Sequence, residues 1–146
     1  MIRLMETPFD PGALLSDFTR GRSETGAVAT FTGLARAEEG ATTVLELEAY
    51  PGFTEAEIGR IADQARERFS LHDLAILHRV GKIGPGEPIV FVATAASHRR
   101  AAFEACDFLM DYLKSKAPFW KKEHGPDGER WIEPTQQDHA DRARWG

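Results

Sequence analysis

The sequence predicts an α+β sandwich in a single domain over residues 1–146. Three observations carry this. Residues 89–95 are almost continuously apolar, the pattern of a central strand covered on both faces. Ile58, Ile61, Ala62, Ala65 and Phe69 form one helical stripe behind Thr54 and Glu57, which are spaced as a capping box. Strand and helix patterns are intermixed along the chain, with no internal repeat, low-complexity run or domain boundary.

The elements follow in order. Residues 2–5 read as a short strand. Asp10 before Pro11 reads as an N-cap and first-turn pair, with Leu14, Leu15 and Phe18 at helical spacing. Residues 21–26 read as a loop and 27–32 as a strand ending at Gly33. Residues 44–50 alternate like a half-buried strand that Pro51 and Gly52 stop. After the helix that starts near Thr54, residues 74–80 read as a strand and 81–88 as a turn-rich link. Ser97 reads as the cap of a third helix running to about Lys116. Its stripe is Ala102, Cys106, Leu109, Met110, Leu113 and Ala117, and Pro118 ends it. Residues 119–122 and 130–133 flank a Gly-Pro-Asp-Gly turn and read as a hairpin. The polar tail reads as a short helix.

Composition narrows the function classes. A pI near 5.5 argues against a nonspecific nucleic-acid binder. No apolar run approaches ~18 residues, and the N-terminus lacks the apolar stretch of a signal peptide. With Cys106 as the single cysteine no internal disulfide forms, so a cytoplasmic setting is expected. The five histidines fall in no ligand spacing, and no metal or other cofactor is expected.

One stretch breaks the acidic pattern. Residues 98–122 hold six Lys/Arg against three acids in a chain of net charge −5. His98, Arg99 and Arg100 fall in the first turn of the third helix, where the macrodipole disfavours cations and a phosphate is well received. These side chains read equally as solvated. Lys114 borders the stripe of Met110 and Leu113, and Lys121 shares a strand face with Phe119. Beside apolar groups a lysine either snorkels or, with a lowered pKa, moves protons. Cys106 reads as core packing. Arg99 and Lys114 are separated by ~22 Å along one helix. If both serve one small ligand, one comes from a second copy, which predicts a homodimer with the site across its interface.

Several motifs in sequence order carry a resemblance. They are Phe31-Thr32-Gly33 with Arg36, Tyr50-Pro51-Gly52, His78-Arg79-Val80-Gly81, Ser97-His98-Arg99, Asp111-Tyr112-Leu113-Lys114, residues 117–123, and Gly128-Glu129-Arg130-Trp131. Across nearly the full length the chain resembles the catalytic (large) subunits of molybdopterin synthase, the MoaE family. The resemblance implies an α/β hammerhead fold with an additional small antiparallel β subdomain. It implies a homodimer within a heterotetramer whose other chains are small ubiquitin-like sulfur carriers with a C-terminal Gly-Gly thiocarboxylate. It implies transfer of two sulfurs to cyclic pyranopterin monophosphate, giving the molybdopterin dithiolene of molybdenum cofactor biosynthesis.

Position by position, the resemblance makes Lys114 and Lys121 catalytic. It makes Arg36, His98, Arg99, Lys122 and Glu123 substrate-binding, with Leu34 and Ala35 in the substrate loop. Phe31 lies near the carrier tail. Phe119 and Trp120 are further candidate channel walls, and Trp120 reads equally as a core aromatic. The role of the acidic loop at residues 37–40 is left open. The alternative is a noncatalytic module that binds a phosphometabolite or a ubiquitin-like protein; it would not need both lysines. An RNA-binding domain fits the local basic–aromatic stretch but not the acidic whole.

Overall fold

The structure, a computed structural model, describes residues 1–36, 44–116, 119–126 and 128–146. The described elements are β1 (Ile2–Met5), α1 (Pro11–Thr19), β2 (Ala27–Leu34), β3 (Val44–Ala49), α2 (Phe53–Phe69), β4 (Asp73–Arg79), β5 (Gly81–Ile83), β6 (Pro88–Ala96), α3 (Arg99–Ser115), β7 (Phe119–Gly125), β8 (Gly128–Ile132) and α4 (Gln136–Ala143). Residues 37–40, Ala117 and Pro118 lie outside the described residues, and with them the acidic loop and the end of the α3 stripe.

Two sheets share the work. The larger runs β1-β4-β6-β2, with β1 parallel to β4 and the other pairs antiparallel. As the apolar run of residues 89–95 predicts, β6 is central: Val92, Ala93 and Ala95 are fully buried. Helices α2 and α3 cover one face through Ile58, Ile61, Ala62, Ala65, Phe108 and Leu109, while α1 lays Leu14 and Phe18 on the other against Leu77 and Phe91. The second sheet, β5-β3-β7-β8, is wholly antiparallel. It is the small antiparallel subdomain that the family resemblance implies. No helix among the described residues is long and apolar enough to cross a membrane.

Three local expectations are corrected. The link at residues 81–88 contains β5, which pairs with β3 from Leu45↔Ile83 to Leu47↔Gly81; three residues among Gly and Pro give too short a period to read. Helix α2 starts one residue before Thr54. Gly52, at φ 80°, is its N-cap, and the Thr54 hydroxyl accepts from the Tyr50 N–H at 2.8 Å. The expected capping box is therefore absent, and Glu57 pairs with Arg60. Helix α3 has His98, not Ser97, at its N-cap, with no side-chain cap bond. The Ser97 hydroxyl instead meets His72 Nε2 at 3.0 Å, and Thr25 holds the other ring nitrogen at 2.9 Å.

Helix α3 is fixed from several sides. The buried Thr94 hydroxyl on β6 donates to the Ala102 carbonyl at 2.7 Å, where an unpaired hydroxyl would be costly. Behind α4, Arg144 bridges Asp107 and Asp111 at 2.5 and 2.8 Å, and the Trp145 indole donates to Asp111 at 2.6 Å. At its start the backbone passes so close to Gly26 that a Cβ there would sit 2.0 Å from the Ser97 carbonyl oxygen. Gly26→Ala should therefore displace residues 97–99 and destabilise the fold by about 2 kcal/mol or more. A thermal or urea melt checks this; an unchanged midpoint would show that the backbone yields freely.

Candidate active site

A cleft of about 370 Å³ opens where the two sheets meet. Each wall follows from alternation or helical period. From β2 and the residues after it come Phe31, Gly33, Leu34, Ala35 and Arg36; from β3, Leu45 and Leu47; from β4, His78. Helix α3 adds Met110, Leu113 and Lys114, one turn of its apolar edge ending in a cation. Strand β7 adds Lys121 and Glu123, which alternation puts on one face, with Ile132 of β8 opposite Lys121.

Ala35 is pinned by two backbone bonds, donating to Glu87 O at 2.9 Å and accepting from Gly86 N at 2.6 Å. That anchor leaves Arg36 exposed at the cleft margin. Lys121 pairs across the ladder with Leu47 on one side and Ile132 on the other. Burial, then the charge of Lys114, lowers its pKa to about 8, with Asp138 of α4 opposing weakly. At neutral pH the side chain is mainly an ammonium with a minor amine fraction, the state of a usable proton donor. Glu123 is held by Arg130 at 2.6 Å.

The structure thus brings Phe31, Leu34, Ala35, Arg36, Lys114, Lys121 and Glu123 to one cleft. It leaves three other expected residues elsewhere. His98 and Arg99 sit exposed at the opposite end of α3. Lys122 alternates to the outer face of the second sheet, 2.8 Å from Glu129 and over the Trp131 ring at 4.7 Å, and its pKa is raised by the Glu129 bond. Trp120 is on that outer face too. It is neither core nor cleft wall: its ring lies 5.9 Å from Tyr50 and 5.4 Å from Trp131. Phe119 packs on the main core and stacks on His78.

His78 is the cleft residue that the sequence reading did not single out as a site. It is only 6% exposed, its ring stacks on Phe119 at 4.1 Å and 20°, and its Nδ1 meets the Arg79 carbonyl at 2.9 Å. Burial lowers its pKa to about 4, with Lys121 and Lys114 adding to the effect against the bond to Arg79. Cys106 is buried, with its thiol pushed up to about 12, so it offers no nucleophile. Among the described residues no group of three His, Cys, Asp or Glu can hold a metal ion.

The fold and cleft define an enzyme-like α+β domain that gathers two lysines and an arginine at one cleft. The chain matches the family described as MoaE protein over residues 4–116. It is 68% identical over 145 residues to the molybdopterin synthase catalytic subunit of Caulobacter vibrioides, covering 99% of this chain and 97% of that protein. Its structure resembles the molybdopterin biosynthesis MoaE protein from Burkholderia ambifaria, with TM-score 0.86, 46% identity, and coverage of 100% and 97%. It also shares the fold of a chain in the complex of subunits 1 and 2 of molybdopterin-converting factor from Helicobacter pylori, with TM-score 0.76, 18% identity, and coverage of 93% and 91%. The chain belongs to the MoaE family of molybdopterin synthase catalytic subunits, and is an enzyme.

The neutral buried imidazole makes a stability prediction. His78 ionises near 4 when folded and near 6.5 when unfolded. Between those values the unfolded chain binds more protons, so stability rises with pH and is complete above about 6.5. On acidification to pH 4 this group alone withdraws on the order of 2–3 kcal/mol. Urea melts of the protein and of His78→Gln should converge as pH falls from 7 to 4; parallel profiles would refute it.

Proposed function

We propose that the cleft transfers two sulfurs to cyclic pyranopterin monophosphate from the Gly-Gly thiocarboxylate of a separate small ubiquitin-like carrier, making the molybdopterin dithiolene. The observation that carries the reading is Lys121 at about 8 beside Lys114 in one apolar cleft. In the first transfer the thiocarboxylate sulfur forms a C–S bond on the pterin side chain as a carbon–oxygen bond to the cyclic phosphate breaks and the phosphate opens to a monoester; in the second, C–S bond formation on the neighbouring carbon expels its oxygen as water. The carrier is then joined through a thioester, and water cleaves its acyl–sulfur bond, releasing the carrier as a carboxylate and leaving sulfur on the pterin. Lys114 polarises the thiocarboxylate, and the Lys121 ammonium donates a proton as the cyclic phosphate opens. Phe31 flanks the tail, and Arg36 holds the phosphate. The reaction is set in the cytoplasm. It needs no cysteine of this chain, because sulfur arrives on the carrier.

His98 and Arg99 enter through a second copy. Helix α3 holds them a helix length from Lys114, and they make no ion pair among the described residues. A twofold dimer brings Arg99 of one copy to the cleft of the other. Glu123 orders the strand through Arg130, while Lys122 secures the hairpin through Glu129.

With purified thiocarboxylated carrier and cyclic pyranopterin monophosphate, Lys114→Ala and Lys121→Ala should each lower molybdopterin formation by roughly 10²-fold or more. The wild-type kcat/KM, which reports the empty cleft, should fall above about pH 8 as the Lys121 ammonium is lost. Near-normal turnover of either variant would refute the assignment. Mixing Lys114→Ala with Arg99→Ala chains should restore about a quarter of the activity, because half the dimers are mixed and each carries one intact site. No restoration would place each site within one chain.

A further inference from the structure

We infer that His78 Nε2 is a hydrogen-bond acceptor that reads an amide-type N–H on the occupant of the cleft. This rests on the sulfur-transfer reading above and adds a binding residue to it.

Nδ1 lies 2.9 Å from the Arg79 carbonyl oxygen, which can only accept, so the ring proton is on Nδ1. Burial keeps the ring neutral, and a neutral imidazole protonated at Nδ1 carries a lone pair at Nε2. The ring is not free to turn, since it stacks on Phe119 at 4.1 Å. Nothing among the described residues donates to Nε2, and His78 is part of the cleft wall.

The surroundings explain what such an atom would serve. The other polar side chains of the wall are Arg36 beyond β2, Lys114 on α3, and Lys121 and Glu123 on β7. Three of these only donate, and Glu123 is engaged by Arg130. Among the described residues, with both lysines protonated, Nε2 is thus the one nitrogen or oxygen side-chain acceptor of the wall outside an ion pair. An occupant made only of anionic groups has no use for it. One that also carries N–H groups would lose their hydrogen bonds on entering the cleft unless an acceptor met them. Two occupants carry that chemistry: the peptide N–H groups of a Gly-Gly tail and the lactam N–H of a pterin ring.

Histidine-selective 15N NMR on the intact protein at pH 7 tests the inference without a mutation. His78 should show the Nδ1–H tautomer. Its Nε2 resonance should move upfield on adding either the carrier with an ordinary C-terminal carboxylate or the cyclic pyranopterin monophosphate. The arm that shifts it identifies the source of the N–H. Calorimetry in parallel separates the failures. Binding with an unmoved Nε2, or an Nε2–H tautomer, overturns the inference alone. Absence of binding by both ligands overturns it together with the sulfur-transfer reading.

Two substitutions give an independent check. His78→Gln can place an amide oxygen near the Nε2 position, whereas His78→Asn keeps a group near Nδ1 and nothing beyond. With melting temperatures matched, His78→Gln should hold KM within about threefold. His78→Asn should raise it roughly tenfold with a smaller change in kcat, the loss of one hydrogen bond to the occupant. Equal KM values for the two would overturn the inference.

Discussion

The antiparallel ladder between β3 and β7 is the constraint on which the rest of the molecule turns. It sets Leu47 opposite Lys121 and Ala49 opposite Phe119, and so carries the chain leaving α3 back across the end of the larger sheet. A slip of one residue would exchange the two faces of β7, turning Lys122 inward and Lys121 out to Trp131. The slip is opposed from both sides. On the inner face Leu47 is 1% exposed and Ile83 fully buried, while on the outer face Glu46 meets His124 at 2.7 Å and Lys122 meets Glu129. One strand register thereby decides which of two adjacent lysines is desolvated and which remains a surface cation.

Charge is distributed around that ladder with a consistent bias. Asp107 and Asp111 on the side of α3 that faces α4 are consumed by Arg144, and Glu123 by Arg130. The cations Arg99, Arg36, Lys114 and Lys121 have no ion-pair partner among the described residues. An acidic chain thus keeps part of its positive charge uncompensated, some of it against apolar walls where a like-charged neighbour is least screened. Such an arrangement costs stability when the cleft is empty and favours a negative occupant when it is filled.

Much of this was legible in the sequence, and the gaps have physical causes. The β6 run, the α2 and α3 stripes and the pairing of one lysine from each doublet with an apolar neighbour follow from period, and the β7–β8 hairpin from its Gly-Pro-Asp-Gly turn. The N-caps of α2 and α3 did not, because Thr54 and Ser97 have the right chemistry one residue from the true boundary, and Gly52 takes a positive φ that a capping threonine seldom adopts. Strand β5 is too short to show a period. Trp120 was ambiguous because an aromatic at a strand position signals burial only if the face is known, and the face depends on a register no local pattern states. His78 was hidden for the opposite reason: inside a buried strand a histidine looks like one more core residue, and only the Arg79 carbonyl and the Phe119 ring reveal which nitrogen is left to act.

The lowered pKa values of His78 and Lys121 have one origin and opposite uses. His78 is buried and Lys121 largely so, and both feel Lys114. His78 starts from a modest basicity, so the same environment makes it neutral across the physiological range, with Nδ1–H donated to Arg79 and a lone pair left on Nε2. Lys121 starts high, so a comparable push leaves it protonated but close to losing its proton. An anion entering the cleft acts on Lys121 against the push from Lys114, raising its pKa and drawing in a proton where the empty protein holds less than one. Under the proposed sulfur transfer, binding of a negative group and protonation of Lys121 would be a single electrostatic event. The neutral imidazole next to it limits the cost, since a third full charge on His78 would lower Lys121 further, until at neutral pH it had no proton to give.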